Sequence, residues 1–253
     1  VPELPNAYLV RDSDIAALKQ TLLSTDGTAS STSLTSKRQK SKTSAHGMGG
    51  VGKTTVACAL VHDEEILSSF EKVVWVSVGL EPNIRELQDS IYEQVVGMAI
   101  PATATSPGLV LKALADGARR SKILLVLDDV WEARHEKSLN CIDNNTSSKL
   151  LITTRIRGIL NNASEVALGV LPPDDALQLL LSSAGIAAID EGSEERGRAV
   201  EVTEFCGRLP LTLAICGGMV NDVSSAKKAA TRPTRYLCMF SATFWTARCL
   251  LPF

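Results

Sequence analysis

The chain has 253 residues, with 26 Lys and Arg against 28 Asp and Glu and a formal net charge of −2. That near balance excludes a protein held on nucleic acid or an anionic membrane by bulk charge. Hydrophobic residues at 45% and charged residues at 21% exclude a chain disordered throughout, and a chain of this length buries about three quarters of its unfolded surface, enough for one large domain or two small ones.

The six cysteines (Cys58, Cys141, Cys206, Cys216, Cys238 and Cys249) are scattered, with no CxxC pair and no metal-ligand spacing. No charged-then-apolar leader opens the sequence. The apolar run from Tyr236 to Phe253 is cut by Arg248 and is marginal in length for a membrane span. A reducing, soluble, cytoplasmic setting is expected, in which the sequons at Asn144, Asn145 and Asn162 stay unused.

Residues 1–23 form an opening segment. Ser24 to Ser44 follows, so rich in Ser and Thr that burial cannot offset its ordering entropy, and it is expected to be a flexible loop. The strand that should precede the glycines at 47–52 is short and poor, Thr43-Ser44-Ala45-His46. Val73 to Val78 is a β-branched run read as a strand. Ile84, Leu87, Ile91 and Val95 then fall at helical spacing. Ile123 to Leu127 and Leu150 to Thr153 are further continuous apolar runs, as suits strands buried on both faces of a parallel sheet. The stretch between Trp131 and Lys149 is short and polar. From Pro172 the pattern is helical only. Pro173-Asp174-Asp175 opens one helix with Leu177, Leu180 and Leu181 on one face. A second helix runs from about Glu194 to a cap at Gly207, and a third starts at Pro210. Strand and helix in alternation predict an α/β three-layer fold with a parallel sheet, followed by a small helical subdomain.

Gly47-Met48-Gly49-Gly50-Val51-Gly52-Lys53-Thr54 fits GxxxxGK[ST] throughout. Glycines let backbone N–H groups turn in around phosphate oxygens, and the helix opening at Lys53 points its positive end at them. Lys53, expected to be exposed, supplies an ammonium for the β and γ oxygens, and Thr54 a hydroxyl for Mg²⁺. Taken alone the motif also fits a Gly-rich turn capping a helix. The buried run from Lys122 to Leu127 ends in Asp128-Asp129, and two acids at a strand tip are costly unless they meet a cation. Asp128 can hold Mg²⁺ through water, and Asp129 can orient or deprotonate an attacking water; a helix N-cap is the other use of such a pair. Together the two motifs make a nucleoside-triphosphate site. Arg155, at the tip of the Lys149–Thr154 run, is either a sensor of the γ-phosphate or an ordinary solvated arginine.

GMGGVGKTT, FEKVVWVSV, KILLVLDDVW, KLLITTR, SEVALGVLPPDDALQLL and CGRLPLTLAICGGM occur in that order. The set resembles the NB-ARC domain of STAND-type P-loop NTPases, shared by plant disease-resistance proteins and the animal apoptotic protease-activating factor, over about residues 1–220. The resemblance implies a P-loop NTPase sheet of five parallel strands, with the Arg155 strand between those of the two nucleotide motifs. It implies a nucleotide-binding domain at 45–170, a helical subdomain at 171–222, and ADP or ATP with Mg²⁺ as ligands. By the same resemblance Gly47, Gly49, Gly50, Val51, Gly52, Lys53, Thr54 and Thr55 would cradle phosphates, and Thr54 and Asp128 would face the metal. Asp129 would be the catalytic acid, Arg155 the sensor, and Pro210 would pack on adenine or ribose. The opening VPELPNAYLVRDSD is similar to the family's adenine-wrapping segment and nominates Leu9 and Arg11.

The family continues into a winged-helix subdomain with a Met-His-Asp motif. His46, His62 and His135 do not supply that pattern, and residues 223–253 resemble nothing in the family, so a chain truncated before that subdomain, with an atypical tail, is expected. Three functions follow: a slowly hydrolysing ADP/ATP switch with a conformational output, a turnover P-loop ATPase, or a non-cycling nucleotide-binding scaffold. The implied partners are nucleotide and either self-association or a sensor or effector domain of a longer parent, with no nucleic acid and no membrane span.

Overall fold

The computed structural model describes residues 1–5, 7–23, 41–143 and 146–226, with side chains described as far as Asp222. The Ser/Thr-rich loop expected from Ser24 lies outside the described residues up to Lys40. The sequons at Asn144 and Asn145, and the tail beyond Ala226, lie outside them as well.

The chain divides into two units. The first comprises Val1–Leu4, Val10–Met48 and Lys53–Leu168, the second Pro5–Leu9, Gly49–Gly52 and the chain from Gly169 on. In the first unit, β1 (Lys42–His46), β2 (Lys72–Gly79), β3 (Ile123–Val130), β4 (Lys149–Thr154) and β5 (Ser164–Ala167) form one sheet in the order β2-β3-β4-β1-β5. Every pairing is parallel. The apolar runs are continuous because each strand is covered on both sides. Ile123, Leu125, Leu127, Leu150 and Ile152 enter one core with Ile91 and Val95 of α4 (Ile84–Val96) and Val110 and Leu114 of α5 (Pro107–Ala118). The intervening Leu124, Val126 and Leu151 are equally inaccessible. The other helices touching the sheet are α1 (Asp12–Leu23), α2 (Lys53–Val61) and α6 (Ala133–Leu139). The three-layer α/β fold is thus as expected.

Two expectations change. β1 begins at Lys42, inside the stretch read as loop to Ser44. By composition Lys-Thr-Ser-Ala-His is a poor strand, and its place decides the matter, since it is hydrogen-bonded to β4 on one side and β5 on the other, with Thr43, Ser44 and Ala45 buried. The segment after Trp131, read as short and polar, contains α6. That helix buries Leu139 and neutralises its buried Glu136 by an ion pair to Lys42 at 2.8 Å and a bond from Asn140 Nδ2 at 2.6 Å.

At its free edge, β2 is closed by a side chain. Gln94 of α4 accepts the Trp75 N–H at 2.9 Å and donates to the Trp75 carbonyl at 3.0 Å, a pairing a neighbouring strand would otherwise make. A short helix, α3 (Glu64–Ser69), is capped by Asp63, which accepts the amides of Glu65 and Ile66.

The second unit is built on α7 (Pro173–Ser183), α8 (Glu194–Phe205) and α9 (Pro210–Ala226), around Leu171, Leu177, Leu180, Ala199, Leu213 and Val220. Pro173 stands in the first turn of α7, and Gly207 sits just past α8 at φ 61°, where the left-handed conformation favours glycine. α7 and α9 approach closely at Gly217, where a Cβ would stand 2.7 Å from the Leu180 carbonyl oxygen and 2.5 Å from Ser183 Cβ.

Candidate functional site

The loop from Gly47 to Gly52 joins β1 to α2. It turns through Gly50 at φ 77° and Gly52 at φ 92°, conformations that a Cβ would strain. α2 opens at Lys53, so its unsatisfied first-turn amides belong to the same loop.

Lys53 is buried rather than exposed. Its side chain folds back along the loop, and Nζ donates to the carbonyls of Gly47 at 3.0 Å and Met48 at 2.8 Å. Burial lowers its pKa from the ordinary lysine value, and the nearby Arg155 charge lowers it further. The ammonium is therefore tied to the backbone that shapes the loop.

Thr54 and Asp128 converge from α2 and β3. The Thr54 hydroxyl donates to Asp128 at 2.8 Å to Oδ1 and 3.1 Å to Oδ2. Burial pushes the Asp128 carboxyl above the usual carboxylate range, against the opposing pull of the Thr153 and Thr54 hydroxyls. Among the described residues no three His, Cys, Asp or Glu gather to hold a metal. The pair fits a hard cation that takes oxygen ligands and completes its shell with phosphate and water, as Mg²⁺ does.

The next residue is re-aimed by an irregularity. The β3–β4 register shifts between Leu127 and Val130, and Asp129 sits at φ 56°, uncommon for a residue with a Cβ. Thr153 of β4 fills the gap in the ladder. Its hydroxyl accepts the Asp129 N–H at 2.8 Å and donates to Asp128 Oδ1 at 2.6 Å, while the neighbouring Thr154 hydroxyl donates to the Val130 carbonyl at 2.6 Å. Asp128 thereby points at Thr54 while Asp129 is turned to Trp131 and Arg155. The indole Nε1–H donates to Asp129 Oδ2 at 3.0 Å, and Arg155 Nε stands 3.9 Å from Oδ1.

The first unit thus brings together Lys53, Thr54, Asp128, Asp129 and Arg155, with half-buried Thr55 next along α2. Arg11 also belongs to this unit, where its guanidinium pairs with Asp14 at 2.6 Å at the start of α1. Gly49, Gly50, Val51 and Gly52, together with Leu9 and Pro210, are assigned to the second unit. There Leu9 packs on the helical core and Pro210 starts α9 half-buried. Sequence reasoning did not reach Thr153 or Trp131. The signal was a hydroxyl-bearing strand tip beside two acids, and an aromatic residue just past them.

The family model of the NB-ARC domain matches residues 29–189. The disease resistance protein RPS5 of Arabidopsis thaliana is 27% identical over 178 residues, 68% of this chain and 20% of that protein. The disease resistance RPP13-like protein 4 of the same plant is 27% identical over 185 residues, 69% of this chain and 21% of its own length. The chain therefore spans about a fifth of the length of these curated relatives. Among solved structures, a STAND protein with a tetratricopeptide repeat sensor from Pyrococcus horikoshii superposes with a TM-score of 0.55 at 16% identity, over 96% of this chain and 33% of that one. At that identity the likeness speaks for the fold, a five-stranded parallel P-loop sheet. With the family match spanning well over half of its residues, the chain belongs to the NB-ARC family of nucleotide-binding domains.

Proposed function

We propose that the chain is the ADP/ATP-binding core of an NB-ARC switch, in which the bound nucleotide sets the conformation and Mg²⁺-dependent hydrolysis is slow. The observation that carries the reading is the approach of the Thr54 hydroxyl to the Asp128 carboxylate at 2.8 Å, at the end of the loop that holds Lys53.

Bound Mg²⁺ would neutralise charge building up on the phosphate oxygens. The chain's own residues do the rest. Backbone amides of Gly49 to Thr55 face phosphate oxygens, and Lys53 exchanges its carbonyl partners for the β and γ oxygens. Thr54 and Asp128 hold the cation. Asp129 accepts the proton of an attacking water, and Arg155 meets the terminal phosphate. The family pattern assigns Leu9, Arg11 and Pro210 to the base. Among the described residues Cys58, Cys141, Cys206 and Cys216 are free thiols, which fits a reducing compartment. No described helix is long and apolar enough to cross a membrane. Sensor or effector segments of a longer parent would be the partners that read the switch.

The test is to purify the chain without added nucleotide, denature it, and identify what is released by ion-exchange chromatography. Near-stoichiometric ADP is the expected result. Folded protein that releases no nucleotide and shows no measurable affinity for ADP or ATP would sink the reading. Steady phosphate release at ordinary enzyme rates, lost on Asp129→Asn, would replace the switch by a turnover ATPase.

A further inference from the structure

Trp131 touches both charged residues at the far end of the site, and it does so with different parts of one ring. Its Nε1–H is bonded to Asp129 Oδ2 at 3.0 Å, and its face lies beneath the Arg155 guanidinium, 4.8 Å from centroid to Cζ. The Arg155 side chain is 49% exposed, so without such a surface it would sample many rotamers. With Cζ over the indole ring and Nε 3.9 Å from Asp129 Oδ1, its conformational freedom is reduced. Among the described residues the two Nη groups make no hydrogen bond, and a guanidinium fork of that kind matches two oxygens of one phosphoryl group.

We propose that Trp131 is a positioning residue, whose ring face presets Arg155 for the terminal phosphate of a nucleoside triphosphate and whose N–H fixes Asp129, so that it sets the preference of the site for triphosphate over diphosphate. The inference rests on the nucleotide reading above. A diphosphate has no group at the position Arg155 serves, so its affinity is independent of the indole. The two atoms of contact also separate two effects: the ring face acts on binding preference, the N–H on the alignment of Asp129.

The test uses titration calorimetry on the full chain with Mg²⁺, comparing ADP with a non-hydrolysable ATP analogue. Trp131→Leu is expected to weaken the analogue by about 2–5-fold, the worth of an exposed cation–π contact, and to leave ADP unchanged. Trp131→Phe, which keeps a ring face, should restore most of the preference. In an Arg155→Ala background Trp131→Leu should change neither affinity further, since the ring acts through Arg155. Equal losses for both nucleotides, or a full loss for the analogue that persists without Arg155, would overturn the proposal. Should the Leu variant fail to fold, Arg155→Lys, which keeps the charge without the planar face, must show the same selective loss, and an undiminished preference there also overturns it. Wild-type protein that binds neither nucleotide would take down the nucleotide reading together with the inference. A preference for triphosphate indifferent to Trp131 would sink the inference alone.

Discussion

The Thr153 hydroxyl donates to Asp128 at 2.6 Å, and this one bond ties the tip of β4 to the buried acid of β3 that the proposed site gives to the metal. The same oxygen accepts the Asp129 amide at 2.8 Å, an amide that the register shift removes from the regular ladder. Thr153→Val, close in shape, leaves the Asp129 N–H without its acceptor and Asp128 without one donor. A loss of about 1–3 kcal/mol in urea unfolding is expected, with Thr153→Ser near wild type. A valine variant as stable as wild type would show that the bulge does not depend on the hydroxyl.

Asp128 sets stability against function. Its folded pKa is raised, mainly by burial, above the unfolded carboxylate value. Between the two values the folded state binds the proton more tightly, so this group favours folding below the unfolded pKa, and that contribution is lost as pH rises through the folded one. Above the folded value the ionised carboxylate therefore works against the fold. Asp128→Asn retains an oxygen that can accept from Thr54 and Thr153 and removes the charge. The expected result is an unchanged melting temperature or a rise of about 2–4 °C per kcal/mol relieved, together with loss of Mg²⁺-dependent nucleotide retention. Destabilisation without a change in retention would contradict the metal assignment.

The parts of this fold legible in the sequence are those where local composition and tertiary role agree. The run from Ile123 to Leu127 is apolar because both faces are covered, and the glycines at 50 and 52 are required by positive φ. β1 was legible only in part, since Thr43, Ser44 and Ala45 owe their extended state to strands on either side, which no local window contains. α6 was missed because its surface is charged and its buried side holds His135 and Glu136 beside Leu139. A buried carboxylate paired to Lys42 from another element carries no apolar signal. At the site, the residues proposed for phosphate and metal follow from motif chemistry. Thr153 and Trp131 do not, because their roles depend on a bulge and a ring contact.

Gly217 and Gly218 are adjacent on α9 yet face different surroundings. A Cβ on Gly217 would meet the Leu180 carbonyl oxygen at 2.7 Å, a backbone atom of α7 that cannot give way alone, whereas nothing lies within 4 Å of one on Gly218. Gly217→Ala should force the helices apart and cost about 1–3 kcal/mol in thermal or urea unfolding of the second unit. Gly218→Ala should instead stabilise it by up to about 1 kcal/mol through helix propensity. Equal effects of the two substitutions would mean that the α7 backbone does not approach α9 as closely as the Gly217 geometry indicates.

Cys206 and Cys216 ionise as a pair, and the order in which they do so follows from one bond. Cys206 Sγ–H donates to Cys216 Sγ at 3.6 Å, which favours a thiolate at Cys216 and lowers its pKa below the ordinary thiol value, although burial pulls the other way. The donor is held protonated and its own pKa is raised by the same bond. Burial pushes the Cys141 thiol up to about 12 and raises that of Cys58 as well. Alkylation needs the thiolate, and the midpoint of a rate–pH profile is independent of how rarely a buried sulfur is reached. Iodoacetamide labelling, mapped by peptide mass, should therefore show Cys216 with the lowest midpoint of these four thiols. Cys206→Ala removes the donor and should move that midpoint upward towards the ordinary thiol value. A midpoint unmoved by Cys206→Ala would mean that the sulfur–sulfur contact is not a hydrogen bond.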